Sequence, residues 1–204
     1  MGVEELEQSV DLKEENEDLK TATGQSFRSR AFRLSFFKKK LNGRAGLKTA
    51  TNKDFIGYAI VKWDSLPSKA ESCHVYESVI KRSRHPNNCV RGEQSWICTV
   101  DRLAFTVKGY VYAQQNRLTN VCAHAALRTV AARFPGGEGL SYRKMNQIVG
   151  IDPKNASGGL ASEEITKILE SVGVRCLLLD FTTEEKPPAP FQKYIHTHHT
   201  RAWD

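Results

Sequence analysis

QQNRLTNVCAHAAL, residues 114–127, is the stretch on which the reading of this chain turns. From Cys122 onward the residues through 134, CAHAALRTVAARF, are good helix formers, and Phe134-Pro135-Gly136-Gly137 ends the run. A cysteine therefore opens a helix, where aligned peptide dipoles and unpaired amide groups favour negative charge at the sulfur. Thr119 or Asn120 can cap this helix. Ala123, Ala125 and Ala126 are small enough to let it lie close under a sheet while Cys122 stays at its exposed end. An amide side chain just upstream, from Gln114, Gln115 or Asn116, can reach the same point and donate a hydrogen bond to a developing oxyanion. The competing reading makes Cys122 a small buried hydrophobe on an alanine-rich helix. His124 projects roughly 200° around the axis from Cys122, so it cannot be that thiol's base and is expected to be a partly buried packing residue.

Upstream, residues 54–112 carry the period of strands: FIGYAIVKW, CHVYESVI, SWICTV and LAFTVKGYVY are rich in Val, Ile and aromatics and separated by turn residues. They predict a meander of four or five short strands. Downstream, SYRKMNQIV predicts a helix capped by Ser141 and stopped at Gly150. A further helix is predicted from about Ser162, with Glu163 and Glu164 at its positive end and Ile165, Ile168, Leu169 and Val172 on one face. The apolar run VRCLLLDF that follows reads as a buried strand. No internal repeat is present, and the order of strands, helices and one strand predicts an α+β chain.

Taken together, these features resemble the papain-like cysteine peptidases, and within them the bacteriocin-leader peptidases. The shared parts are an upstream Gln, a Cys opening the central helix, an alanine-rich turn after it, and LSYRKMNQIVGI and GGLASEEITKILESVGVRCLLLD in the places of the two following helices. The resemblance covers residues 110–195. It implies a papain-like core preceded by an antiparallel β extension, with hydrolysis of a peptide or isopeptide bond through a thioester on Cys122. Gln115 and the Cys122 amide would hold the oxyanion. In the family the Gln usually stands six residues before the Cys, a place filled here by Asn116; Gln115 stands at seven, which a slightly longer loop accommodates. The family's base is a His opening an apolar strand downstream, with an Asp or Asn to orient it. Nothing after Tyr194 has that pattern, and His196, His198 and His199 in the polar end HTHHTRAWD are the candidates. The chain thus reads as a member truncated or frame-shifted before its catalytic His. The implied partner is a peptide or protein substrate, no cofactor is implied, and without a base the implied function becomes binding of a peptide or protein.

Composition sets the outer bounds. The 204 residues are 40% hydrophobic and 26% charged with a net charge of +7, the numbers of a soluble globular chain. The charge is split: through Lys20 the net is −6, whereas residues 21–50 carry no acid and a net of +8. Residues 1–53 therefore read as a charged, largely disordered tail, 54–113 as the β-rich region, 114–195 as the papain-like helical half and 196–204 as a frayed His-rich end. Within the tail, FRSRAFRLSFF (27–37) interleaves Phe and Arg and reads as an amphipathic segment that docks on the body or an anionic partner. The basic block at 28–48 motivates weak nucleic-acid binding, but no reader motif accompanies it, so nucleic acid is not the expected partner. No apolar run approaches a membrane span and the start has no secretory pattern, so a cytoplasmic protein with no membrane partner is expected. Five scattered cysteines suit a reducing compartment. Cys73, His74, His85, Cys89 and Cys98 offer zinc-type ligands, but without paired CxxC spacing, and no metal site is expected.

Overall fold

A computed structural model describes residues 1–6, 10–26, 28–65, 71–81, 94–116, 118–119, 121–137, 139–152 and 159–178. The elements in chain order are β1 (Gly2–Leu6), α1 (Val10–Thr23), β2 (Arg28–Phe37), α2 (Gly43–Lys48), β3 (Phe55–Ser65), β4 (Ser72–Lys81), β5 (Gln94–Val100), β6 (Leu103–Tyr112), α3 (Cys122–Ala131), α4 (Tyr142–Val149) and α5 (Ser162–Ser171). The six strands form one antiparallel sheet in the order β1-β2-β3-β4-β6-β5. The fold is α+β. Among the described residues no helix is long and apolar enough to cross a membrane.

The stretch read as strands is filled by β3 to β6, and the helices predicted after Ser141 and near Ser162 are α4 and α5. The N-terminal reading needs correction. Residues 1–53 are not a tail: β2, built from the Arg/Phe segment, is an interior strand between β1 and β3. The segment is ordered by backbone ladders to both neighbours and by buried Ala31, Ser35 and Phe37, and the two halves of the charge split face each other across it. Acidic β1 lies against basic β2, with Glu4 directly opposite Arg33 and 2.7 Å from it, and Arg30 gripping both Glu5 carboxylate oxygens at 2.8 and 2.9 Å. The α1 acids are paired as well: Arg143 on α4 bonds Asp18 at 2.6 Å and Glu17 at 3.0 Å. A linear count of charge has no access to such pairings.

The sheet curls so that β2 approaches β5. Arg33 on β2 donates to the Thr99 carbonyl on β5, two strands that are not neighbours in the sheet. Inside the curl Phe37, Phe55 and Phe105 stack with centroids 5.2–5.3 Å apart, and Val79, Val107 and Val111 complete the core. The curvature brings β4 so close to its neighbours that a Cβ at Gly57 or Gly109 would run into the backbone of Val79 or Ile80. A bulge at Ile60/Val61, where Tyr76 has no partner in the register, turns the later half of β3 and the earlier half of β4 toward α1. There Leu12, Ala31 and Tyr76 form a small apolar cluster beside a buried ionic one. Helices α3, α4 and α5 make a third core around Leu127, Met145 and Ile168.

Two local expectations also change. The first helical residue of α5 is Ser162, with Ala161 before it, and the Glu164 carboxylate accepts from the Ala161 N–H at 2.7 Å. The run read as a buried strand after α5 has no regular structure over residues 174–178, where Leu177 and Leu178 are exposed. An apolar run becomes a strand only beside another strand, and among the described residues none is paired with it.

Candidate active site

Cys122 is the first residue of α3 and its side chain is exposed, which removes the reading of it as a core hydrophobe. Val121 stands at the N-cap and brings no side-chain acceptor; of the expected caps, Thr119 turns its hydroxyl to Asn116 Oδ1 at 3.2 Å, and Asn120 lies outside the described residues. The first bond of the helix runs from the Ala125 N–H to the Val121 carbonyl at 2.9 Å. The amide groups of the opening turn, beside the thiol, have no partner within the helix.

The helix is fixed by a side chain that the sequence reading passed over. Arg128 is buried, its guanidinium 2.6 Å from the Glu77 carboxylate on β4 and 4.4 Å over the Tyr76 ring. Glu77 accepts a second hydrogen bond from the Tyr58 hydroxyl at 2.6 Å. Burial, followed by the Glu77 charge, pushes that hydroxyl well above its ordinary titration range, so it stays a donor. Ala125 and Ala131 are buried, the close approach that small residues permit.

The three amide candidates separate sharply. Gln114 is tied to β4 twice: its N–H donates to the Val75 carbonyl at 2.8 Å and its side-chain oxygen accepts from the Val75 N–H at 2.9 Å. Asn116 is fully buried. Its Oδ1 accepts from the Leu118 and Thr119 amides at 2.9 and 3.0 Å, its carbonyl accepts from Ser72 at 2.6 Å, and its Nδ2 points to Glu15 at 3.4 Å. Gln115, between them, is exposed and hydrogen-bonds to no described residue. Gln114, Gln115 and Cys122 line one open groove of about 570 Å³. Its other walls are Tyr112, Ala113, Ala125, Ala126, Thr129 and Val130, none of them charged.

His124 faces the other side of α3, as the helical angle requires, but it is polar-bonded rather than simply packed. Its Nε2 lies 2.8 Å from Asn146 Oδ1, its ring meets Tyr142 edge-on at 5.8 Å, and it borders a separate cavity of about 60 Å³ behind the helix. Desolvation, only partly offset by Asn146 and Glu164, holds its pKa below the usual imidazole value. His196, His198 and His199 lie outside the described residues. Of the zinc-type candidates, Cys73 is exposed and neighbouring His74 is buried on the opposite face of β4, while His85 and Cys89 lie outside the described residues. Among the described residues no three His, Cys, Asp or Glu side chains gather in a way that could hold a metal ion.

The second polar centre is under α1. Lys62 and Asp64 are completely buried; Lys62 Nζ lies 3.0 Å from Glu15 and 3.3 Å from Asp64, with His74 Nδ1 4.0 Å from Asp64. None of these contacts has hydrogen-bond geometry; the cluster is tied to its surroundings by the Asn116 Nδ2 bond to Glu15 at 3.4 Å. The signal for it was present in the alternation of β3, which puts residues 62 and 64 on one face, but the covering acid lies 47 residues upstream.

Compared with protein-family models, curated proteins and solved structures, the chain finds no match in any of the three, so its class is argued from its own geometry.

Proposed function

We propose that this chain is a papain-like cysteine peptidase, hydrolysing a peptide or isopeptide bond through a thioester. The observation that carries the reading is the meeting of an exposed helix-opening thiol, Cys122, and an uncommitted amide, Gln115, in one groove. In the reaction the Cys122 sulfur attacks the scissile carbonyl carbon, and the oxygen takes the electron pair while Gln115 Nε2 and the Cys122 N–H donate to it. Collapse expels the amine, which takes a proton, and water then cleaves the thioester to release the acid and restore the thiol. A His must accept the thiol proton and return it to the leaving amine. His196, His198 and His199 are the candidates for that role. The uncharged walls favour an acyl portion with small or aliphatic uncharged side chains.

Mass spectrometry of iodoacetamide labelling at pH 7 tests the reading, with exposed Cys73 as the reference thiol in the same molecule. Cys122 is expected to label faster than Cys73, and Cys122→Ala to remove that labelling without unfolding the chain, since no buried volume is lost. Equal rates at the two thiols sink the proposal, leaving a peptide- or protein-binding module as the reading of the groove.

A further inference from the structure

The residue before Asn116 and the residue six places after it are the two chemical groups of the proposed site, and Asn116 itself is the best-anchored residue of the connecting loop. Its side-chain oxygen gathers the Leu118 and Thr119 amides and the Thr119 hydroxyl, folding the chain into the turn that delivers Cys122. Its carbonyl is held by Ser72 on β4 and its Nδ2 is directed at Glu15 on α1. Glu15 is in turn held by fully buried Lys62. Gln114 is bonded to Val75 on one side and Asn116 is bonded on the other, so the backbone of Gln115 is anchored at both ends while its side chain stays open.

We infer that Asn116 is a positioning residue that presets the Gln115 amide against the Cys122 thiol, and that Glu15 of α1 belongs to the site through it. The inference rests on the peptidase reading of Cys122 and Gln115. It accounts for the displacement of the amide by one position: the place nearer the cysteine is taken by a residue whose side chain faces inward to build the loop. It also gives the N-terminal helix, about a hundred residues earlier in the chain, a part in the chemistry.

Acylation and alkylation of the same thiol separate this role from a merely structural one. Alkylation by iodoacetamide displaces iodide at a saturated carbon and needs no oxyanion donor, whereas acylation by p-nitrophenyl acetate passes through a tetrahedral oxyanion and releases nitrophenolate. The measured quantity is the ratio of the two rates at Cys122 in the full chain, with Cys73 as internal reference. Gln115→Ala should lower that ratio about 100-fold, the loss typical of one oxyanion donor, and leave alkylation unchanged. Asn116→Ala should lower it at least tenfold, and the milder Ser72→Ala should lower it by less. Phe105→Ala, a change in the separate aromatic core inside the curl, should reduce the melting temperature and leave the ratio alone. If Gln115→Ala collapses the ratio while folded Asn116→Ala and Ser72→Ala keep it, the positioning role is wrong and the peptidase reading stands. If the wild-type ratio at Cys122 equals that at Cys73, the peptidase reading falls and takes the inference with it.

Discussion

Two buried histidines give single residues a measurable hold on stability. For both His74 and His124 desolvation is the largest influence and holds the pKa below the usual value of about 6.5. His74 also feels Glu15 and Asp64 pulling its pKa up and Lys62 pushing it down. The unfolded chain therefore takes up these protons first on acidification. Stability contributed by the neutral rings is present above about pH 6.5 and lost as the pH falls through that value toward the depressed folded pKa. Urea midpoints measured at pH 7.5 and 5.5 should show a lower value at pH 5.5, and His124→Gln should flatten the fall; a midpoint that rises on acidification contradicts the assignment. At the same scale, Cys122 at the start of a helix was legible from residue type and spacing, whereas Gln115 was singled out only by the resemblance. The work of Asn116 was not, because its partners Ser72 and Glu15 lie 44 and 101 positions away.

At the scale of elements, α1 meets the sheet through buried Leu12 and through the buried Glu15–Lys62 contact. Lys62 neutralises Glu15 and Asp64 where all three side chains are closed off from solvent. Lys62→Met keeps the volume and strands two carboxylates, and should destabilise the fold by about 3–5 kcal/mol, read by urea unfolding. Replacing Glu15, Lys62 and Asp64 together with apolar residues should recover most of that loss, because the desolvation cost goes with the charges. The helix ends follow local chemistry: Ser141 caps α4 by accepting from the Lys144 N–H at 3.2 Å, and Gly150 takes the left-handed conformation, φ 74°, that ends it. Such ends were readable in advance because capping is decided within four residues. The fate of residues 174–178 was not, since strand identity needs a neighbour.

For the molecule as a whole, the N-terminal 26 residues are part of the fold. Deleting them would bare the interior edge of β2 and the face carrying Lys62, Asp64 and His74. The shortened chain should lose cooperative thermal unfolding, followed by near-UV circular dichroism; a sharp transition near that of the full chain would return the segment to the status of a tail. The other end of β3 offers a comparison. Phe55 is fully buried in contact with Phe37 and Phe105, and Phe55→Ala should cost about 3–5 kcal/mol while leaving Cys122 alkylation unchanged in the folded fraction.

The sequence by itself determined what short-range physics decides: four strands at period two, three helices with their stops, the cysteine at a helix start, and an amide within reach of it. Tertiary structure alone decided the rest. Strand pairing with β3, burial of Leu12, Leu19, Ala31 and Phe37, and opposite charges set face to face turned an apparently disordered opening into β1, α1 and an interior strand, because such contacts depend on distance in space and not along the chain. The same long-range packing buried Asn116 and left Gln115 open beside Cys122. Which of the neighbouring amides is buried and which is open depends only on what stands next to each in space.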